Sequence, residues 1–346
     1  MSPAAPPSPA NPKDAWLAQI VEEPLRPDLP IIDPHHHLWD NPSSRYLLDE
    51  VLRDTGSGHR VVATVFVECA SMYRADGPEA TRPVGETEFV NGIAAQSASG
   101  QYGPTRIAAG IVGFADLTLG AAVEPVLQAH LAAAPNRFRG IRHAAGFDPS
   151  PEIRNSHTNP PPNLYELKAF RAGFAKLNEL KLSFEAWQYH PQLPRLTDLA
   201  RAFPDTTIIL NHCGGIVGIG PYEGRRAEIF QQWKAAIDEL AKCQNVVVKL
   251  GGINMPLNGF GWHRRPKPPT SDELAAATRD YYLHLIDRFG AARCMFESNF
   301  PVDRTSCSYL VLWNAFKKIA APFTEDEQAE MFQRTAAKVY RLPAFA

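Results

Sequence analysis

The sequence is short of three things, and each shortage removes a class of protein. Net charge is nearly absent: 35 Lys and Arg against 37 Asp and Glu leave −2, so nothing electrostatic favours nucleic acid or an anionic membrane as a partner. Cysteines are few. Cys69, Cys213, Cys243, Cys294 and Cys307 are odd in number and form no C-x-x-C pair, which removes a structural zinc site or dithiol motif and fits a reducing cytoplasm. Long apolar runs are missing too, since none approaches the roughly 18 residues of a membrane span. The opening MSPAAPPSPANP carries five prolines and no apolar centre of the kind a signal peptide needs. Residues 1–28 therefore read as a disordered Pro-rich tail and lead-in, and 29–346 as one domain.

What the chain does have is an alternation. Short apolar runs rich in β-branched residues recur at 29–33, 61–68, 106–113, 138–143, 181–187, 206–212, 245–250 and 293–298. Between them lie segments with apolar residues three or four apart, at 118–134, 164–180, 194–203, 227–243 and roughly 272–289, 307–321 and 324–338. Eight β-α units point to an α/β fold, a closed (β/α)8 TIM barrel on one core. A doubly wound open sheet would show a Gly-rich turn after the first strand, but that turn is DPHHHLWD. The stretches 69–105, 144–163 and 251–270 read as long loops following strands, where such barrels build their active face. The Gly-rich GGINMPLNGFGWHRR at 251–265 lacks phosphate-cradle spacing and reads as a mobile lid.

Polar residues collect where the strands end. They are His35 and His37, Glu68, Arg142 and His143, Trp187 and His190, His212, Lys249, and then Glu297, Asn299 and Asp303. Side chains two apart on an extended chain share a face, so His35 and His37 can converge on one ion while His36 points away. Catalytic zinc takes about three protein ligands plus water, and His212 is the first choice for the third. A divalent metal, zinc above others, would polarise a carbonyl and activate water, with a carboxylate accepting the proton. Glu68, Arg142, His143, Trp187, His190, Lys249 and Asn299 are the candidate substrate contacts, Arg142, His143 and Lys249 being suited to a carboxylate or a developing oxyanion. Taken alone, each fits a bland role as well: Glu68 as an ion-pair partner of Arg142 or Lys249, Trp187 as packing, Cys213 as a small buried hydrophobe.

DPHHHLWD after the first strand, HPQLP after the fifth, LNHCGG at the sixth, VKLGG at the seventh and MFESNFPVD at the eighth together resemble the amidohydrolase-related family, often called amidohydrolase 2. The resemblance runs from about 29 to 342. It implies a distorted (β/α)8 barrel and hydrolysis, often of lactones, with decarboxylases in related branches. It also implies a site built on the His-x-His here at His35 and His37, a histidine here at His212, and an acidic residue just after the eighth strand. Metal-dependent members chelate with these positions, and some lactonase members work without metal. The chain departs from the family at that acid: many relatives read Ser-Asp-Trp-Pro where this one has Ser298-Asn299-Phe300-Pro301. An amide is no general base, which leaves Glu297 or Asp303 to take the role, with His212 beside it.

The expected protein is thus a cytoplasmic hydrolase that opens a lactone or related cyclic ester of a small carboxylated or sugar-acid molecule. Its rivals are metal-independent catalysis on the same residues, a metal-dependent decarboxylase, and a non-catalytic ligand-binding barrel. Barrels of this size often form dimers through loops and outer helices, so a homodimer is compatible with the sequence.

Overall fold

The computed structural model describes residues 12–42 and 44–345. Eight parallel strands form one sheet in sequential order: β1 (Ile31–His36), β2 (Val61–Val67), β3 (Arg106–Gly113), β4 (Phe138–Arg142), β5 (Ser183–Ala186), β6 (Ile208–Leu210), β7 (Val246–Leu250) and β8 (Cys294–Phe296). Seven of the eight apolar runs contain one of them, and the run at 29–33 overlaps β1, which continues to His36. The sheet closes into a barrel just beyond β8, where Asn299 N donates to His35 O (2.9 Å) and His37 N donates to Phe300 O (2.8 Å). The (β/α)8 barrel expected from the alternation is therefore the fold. Among the described residues, no helix is long and apolar enough to cross a membrane.

Strand alternation sorts the side chains into two cores. Ile31, Phe66, Ile111, Ile208, Leu210, Val246, Val248, Cys294 and Phe296 face outward and pack in the large cluster under the helices. Their neighbours Ile32, Val65, Val67, Val112, Ile209, Val247 and Met295 form a second cluster inside the barrel. Ala336 and Tyr340, from the C-terminal segment, pack with this second set and plug the barrel at the strands' N-terminal ends. One step up each strand the same inward parity delivers Arg142, Glu185, Asn211, Lys249 and Glu297, so the interior turns from apolar to ionic toward the mouth.

Two expectations need correction. The lead-in is ordered from Pro12: a helix spans Pro12–Leu17, Leu17 is buried, and Trp16 Nε1 donates to Arg265 O (3.0 Å). Residues 1–11 of the expected tail lie outside the described residues. The 69–105 connection holds a helix at Val84–Ala98, and a further helix spans Leu48–Thr55. The first was hidden because its buried face uses Gly85, Glu86, Thr87 and Ser97 between Val84, Val90 and Ala94, a stripe too polar to read as amphipathic.

Asp33, on the outer face of β1, ties the first strand to the last. Its Oδ1 accepts from Ser298 N (2.9 Å) and His35 N (3.3 Å), and its Oδ2 accepts from Tyr309 OH (3.0 Å). Burial pushes its carboxyl up to about 6, against the pull of these donors. Asp33→Ala leaves three buried donors unpaired and is expected to cost about 3 kcal/mol. In Asp33→Asn the remaining oxygen keeps both backbone donors while the Tyr309 hydroxyl can turn to accept from the amide, so most of that loss should be spared. Urea unfolding midpoints of the two variants check this, and equal midpoints would exclude the role.

Candidate active site

A register shift between Asp33 and His36 turns β1 over, so that His35 points inward where Asp33 points outward, and beyond it the His-x-His spacing puts two rings on one side. His35 and His37 both face the mouth, with ring centroids 4.9 Å apart, while His36 turns aside and pairs its Nε2 with Thr64 Oγ1 (2.8 Å). His37 Nδ1 lies 2.8 Å from Val67 O and so carries the proton in a neutral ring. The His212 ring, arriving from just after β6, lies 4.5 Å from that of His35. The three histidines of the sequence reading therefore meet at one place.

The residue that joins them is Glu297, at the end of β8. Its Oε1 accepts from both the backbone N (3.1 Å) and Nδ1 (2.7 Å) of His212, and its Oε2 lies 2.8 Å from His35 Nδ1. That second contact is close but out of line for an N–H, so Oε2 is a buried carboxylate oxygen with no hydrogen-bond partner among the described residues. His35, His212 and Glu297 place one ligand atom each within 4.8 Å of one another, all buried. An orphaned carboxylate oxygen beside two neutral imidazoles suits a divalent cation. His37 was expected in the ligand set; it flanks this trio rather than sharing it.

Local backbone makes the meeting feasible. His212 and Cys213 have φ of 51° and 53°, a left-handed turn that non-glycine residues adopt at a cost, and Gly214 and Gly215 continue it. Trp233 Nε1 holds the turn by donating to Cys213 O (2.7 Å). The two glycines of VKLGG then give room: a Cβ on Gly251 would lie 2.4 Å from Glu297 Cγ, and one on Gly252 would lie 2.0 Å from His212 Nδ1.

Two ion pairs surround the trio. Lys249 Nζ lies 3.2 Å from His35 Nδ1 and 2.8 Å from Glu185 Oε2. Arg142 Nη1 lies 3.4 Å from His35 Nε2, while its Nε donates to Glu68 Oε1 (2.6 Å) and its Nη2 to Glu68 O. His157, from the 144–163 loop, reaches over to Glu68 Oε2 (3.1 Å). Protonated, His35 would meet a cation on both edges. Burial first, then Lys249 and the neighbouring rings and Arg142, hold its pKa well below the usual imidazole value. His37 and His212 are likewise held down by burial and nearby cations. Burial pushes Glu297 up to about 8, with Lys249 opposing.

The other expected residues divide. Trp187 stands edge-on to His212 at 4.8 Å, and Trp39 stacks on His37 at 5.8 Å. His143 lies against Phe114 and Phe170 and accepts from Leu117 N (3.3 Å), on the helix side of its strand. His190 accepts from Val217 N (3.3 Å) and packs on Tyr222, in a separate group with Asp148. Asn299 turns its amide to Asp303 Oδ1 (3.0 Å), whose Oδ2 accepts from Asn254 N (3.2 Å). Asp303 thus has both oxygens engaged, outside the histidine cluster. Glu185, His157 and Tyr340 escaped the sequence reading. A charged residue at the inward position of the apolar strand KLSFEAW was the signal for Glu185; His157 and Tyr340 lie in segments with no strand to give them parity.

A parallel barrel with imidazoles, a carboxylate and two cations gathered at the C-terminal mouth defines a hydrolase-type barrel enzyme with a candidate metal centre. The chain belongs to the amidohydrolase family, whose model matches residues 32–342. It is similar to the uncharacterized protein y4mH of Sinorhizobium fredii, at 33% identity over 91% of this chain and 99% of that one. An L-fucono-1,5-lactonase of Burkholderia multivorans is 23% identical over 90% and 96% of the two chains. A crystal structure of a Burkholderia multivorans amidohydrolase with bound zinc has the same fold, with a TM-score of 0.68 at 23% identity, covering 90% of this chain and 99% of that one.

Two predictions follow from the geometry. Gly252→Ala must displace the His212 ring, and a displacement of about 1 Å costs on the order of a hundredfold in turnover; activity should fall that far while the far-ultraviolet circular dichroism stays that of the folded barrel. The second concerns pH. Burial would raise Glu68, but Arg142 and His157 overcome it and hold the carboxyl at about 2, below the ordinary 4.5. A lowered carboxylate stabilises the fold above its unfolded value and loses that contribution as pH falls from about 4.5 through about 2. The stability gap between the parent and Glu68→Gln, measured by denaturant unfolding, should be widest near pH 6 and shrink below 4.5; a gap independent of pH would contradict the assignment.

Proposed function

We propose that the chain opens a lactone or related cyclic ester of a small sugar-acid or carboxylated molecule by attack of water on the ring carbonyl. The observation that carries this reading is Glu297: a buried carboxylate, pinned by His212 through one oxygen, with the other oxygen unpartnered among the described residues. An oxygen held beside two imidazoles with no donor of its own is placed to accept a proton. Of the two acids left open by the sequence, Glu297 is favoured because both oxygens of Asp303 are already engaged.

In this reading Glu297 Oε2 takes a proton from water as the water oxygen bonds to the carbonyl carbon. The positive field of Lys249 and Arg142 stabilises the oxyanion. The ring C–O bond then breaks, and the proton on Glu297 passes to the departing alkoxide. Trp187 and Trp39 wall the ring of the substrate. Arg142 is largely committed to Glu68, so recognition of a substrate carboxylate falls less to Arg142 than the sequence implied. The sugar-acid class is supported by the fucono-lactonase relative. Where a divalent ion such as zinc is present, His35, His212 and Glu297 would hold it, it would supply Lewis-acid polarisation of the carbonyl, and Oε2, engaged by the ion, would no longer be the proton acceptor.

A panel of sugar and dicarboxylic lactones, followed by acid release in weak buffer, tests the reading. The parent should hydrolyse at least one class, and Glu297→Gln should lose about a thousandfold in kcat. Metal content of protein purified without added metal, with activity after chelation, decides the ion's part. Release of CO2 from a substrate that is never ring-opened would overturn the hydrolase reading.

A further inference from the structure

Below the histidines the barrel axis carries a second polar chain, of which the proposed chemistry uses only Lys249 and leaves Glu185 and Tyr340 without a role. Lys249 is wholly buried and sits 2.8 Å from Glu185 Oε2, which also accepts from Asn211 Nδ2. The other oxygen, Oε1, accepts from the hydroxyl of Tyr340. Tyr340 belongs to the C-terminal plug, and its ring lies beneath the lysine, with Nζ 5.6 Å from the ring centroid. Arg139, near the start of β4, fixes the plug by donating from Nε to Tyr340 O (2.6 Å).

Packing alone does not call for a tyrosine here. The surrounding layer is Ile32, Val65, Ile209, Val247 and Met295, and a phenylalanine would fill it without burying a hydroxyl. Among the described residues the hydroxyl has one hydrogen-bond partner, and that partner is the counter-ion of the lysine that touches His35. Glu185 is gripped from above by Lys249 and Asn211 and from below by Tyr340, so its rotation, and with it the place of the ammonium, is set from both ends of the barrel. Removing the hydroxyl leaves a buried anionic oxygen unsatisfied, and a carboxylate in that state turns toward whatever donor remains.

We infer that Tyr340 and Glu185 are positioning residues: the C-terminal plug, acting through Glu185, holds Lys249 against His35. The catalytic consequence rests on the proposed hydrolysis, but the geometric claim does not. Two readouts keep them apart. The first is the ring 15N resonance of His35 in full-length, metal-free protein, assigned by its loss in His35→Gln. The second is kcat and KM on the best lactone of the panel.

Tyr340→Phe should shift the His35 resonance and lower kcat roughly tenfold with KM nearly unchanged. If Tyr340 acts through Glu185, the double variant Y340F/E185Q should lose no more than E185Q alone. A purely structural tyrosine would instead lower the unfolding midpoint, leave the His35 resonance in place, and add its loss to that of E185Q; either of the last two results overturns the inference. Should Y340F not fold, E185Q alone must move the His35 resonance, and an unmoved signal overturns it equally. If the parent opens no lactone, the hydrolase reading falls and the resonance still decides this one.

Discussion

The site depends on one carboxylate. Glu297 holds His212 by backbone and ring together, and lies against His35 from the adjoining strand of the closed barrel. β1 and β8 are the two strands whose joining closes the sheet, so the group that organises the histidines also sits at the seam. Asp33 reinforces that seam on the outer face. Much of the local sequence is explained by making room for this contact: a left-handed turn at His212 and Cys213, and two glycines on β7's end where any Cβ would strike the glutamate or the imidazole. Glycine's missing side chain, more than its flexibility, is what the VKLGG segment supplies.

Charge is buried here on a scale that costs several kcal/mol per unpaired ion. It is tolerated because each cation has its own anion: Arg142 with Glu68, Lys249 with Glu185. This arrangement has a chemical effect. Burial and the charge of the two cations keep the imidazoles between them neutral and available as ligands or acceptors, and Glu297, which among the described residues has no cation of its own in hydrogen-bond contact, is raised by burial. Two acids on either side of β1 are thus driven in opposite directions, Glu68 down and Glu297 up, the separation that marks a division of roles.

The barrel was legible in the sequence because hydrophobic periodicity is a local signal, and every apolar run overlaps a strand. His35, His37 and His212 were legible because strand ends are where such barrels deliver chemistry, and a His-x-His pair shares a face. What could not be read was pairing across the barrel. Nothing in KLSFEAW says that Glu185 faces Lys249, and nothing in the C-terminal stretch says that Tyr340 rises into the interior. Glu86 was invisible for another reason: it lies in a helix the polar stripe concealed, where it accepts from Cys69 N (3.0 Å) and Ser71 N (2.7 Å) to shape the loop after β2. His143 and His190 lie apart from the histidine cluster, since proximity to a strand end fixes neither parity nor the turn that follows, and their rings pair with Leu117 N and Val217 N.

The asparagine at 299 then acquires a physical reason. Its backbone sits at φ 55°, a region asparagine tolerates better than most residues, and its amide donates to Asp303. An aspartate at 299 would stand against the Asp303 carboxylate, itself pushed up to about 8 by burial with Glu297 adding to the rise. Three acids in one desolvated corner could not all ionise. With glutamate at 297 already reaching both histidines, the neutral isostere at 299 removes that conflict and satisfies Asp303. Under the proposed chemistry the acid of the eighth strand has moved two residues earlier, to a longer side chain, and the departure from the family's usual motif is a relocation of the base within one strand end.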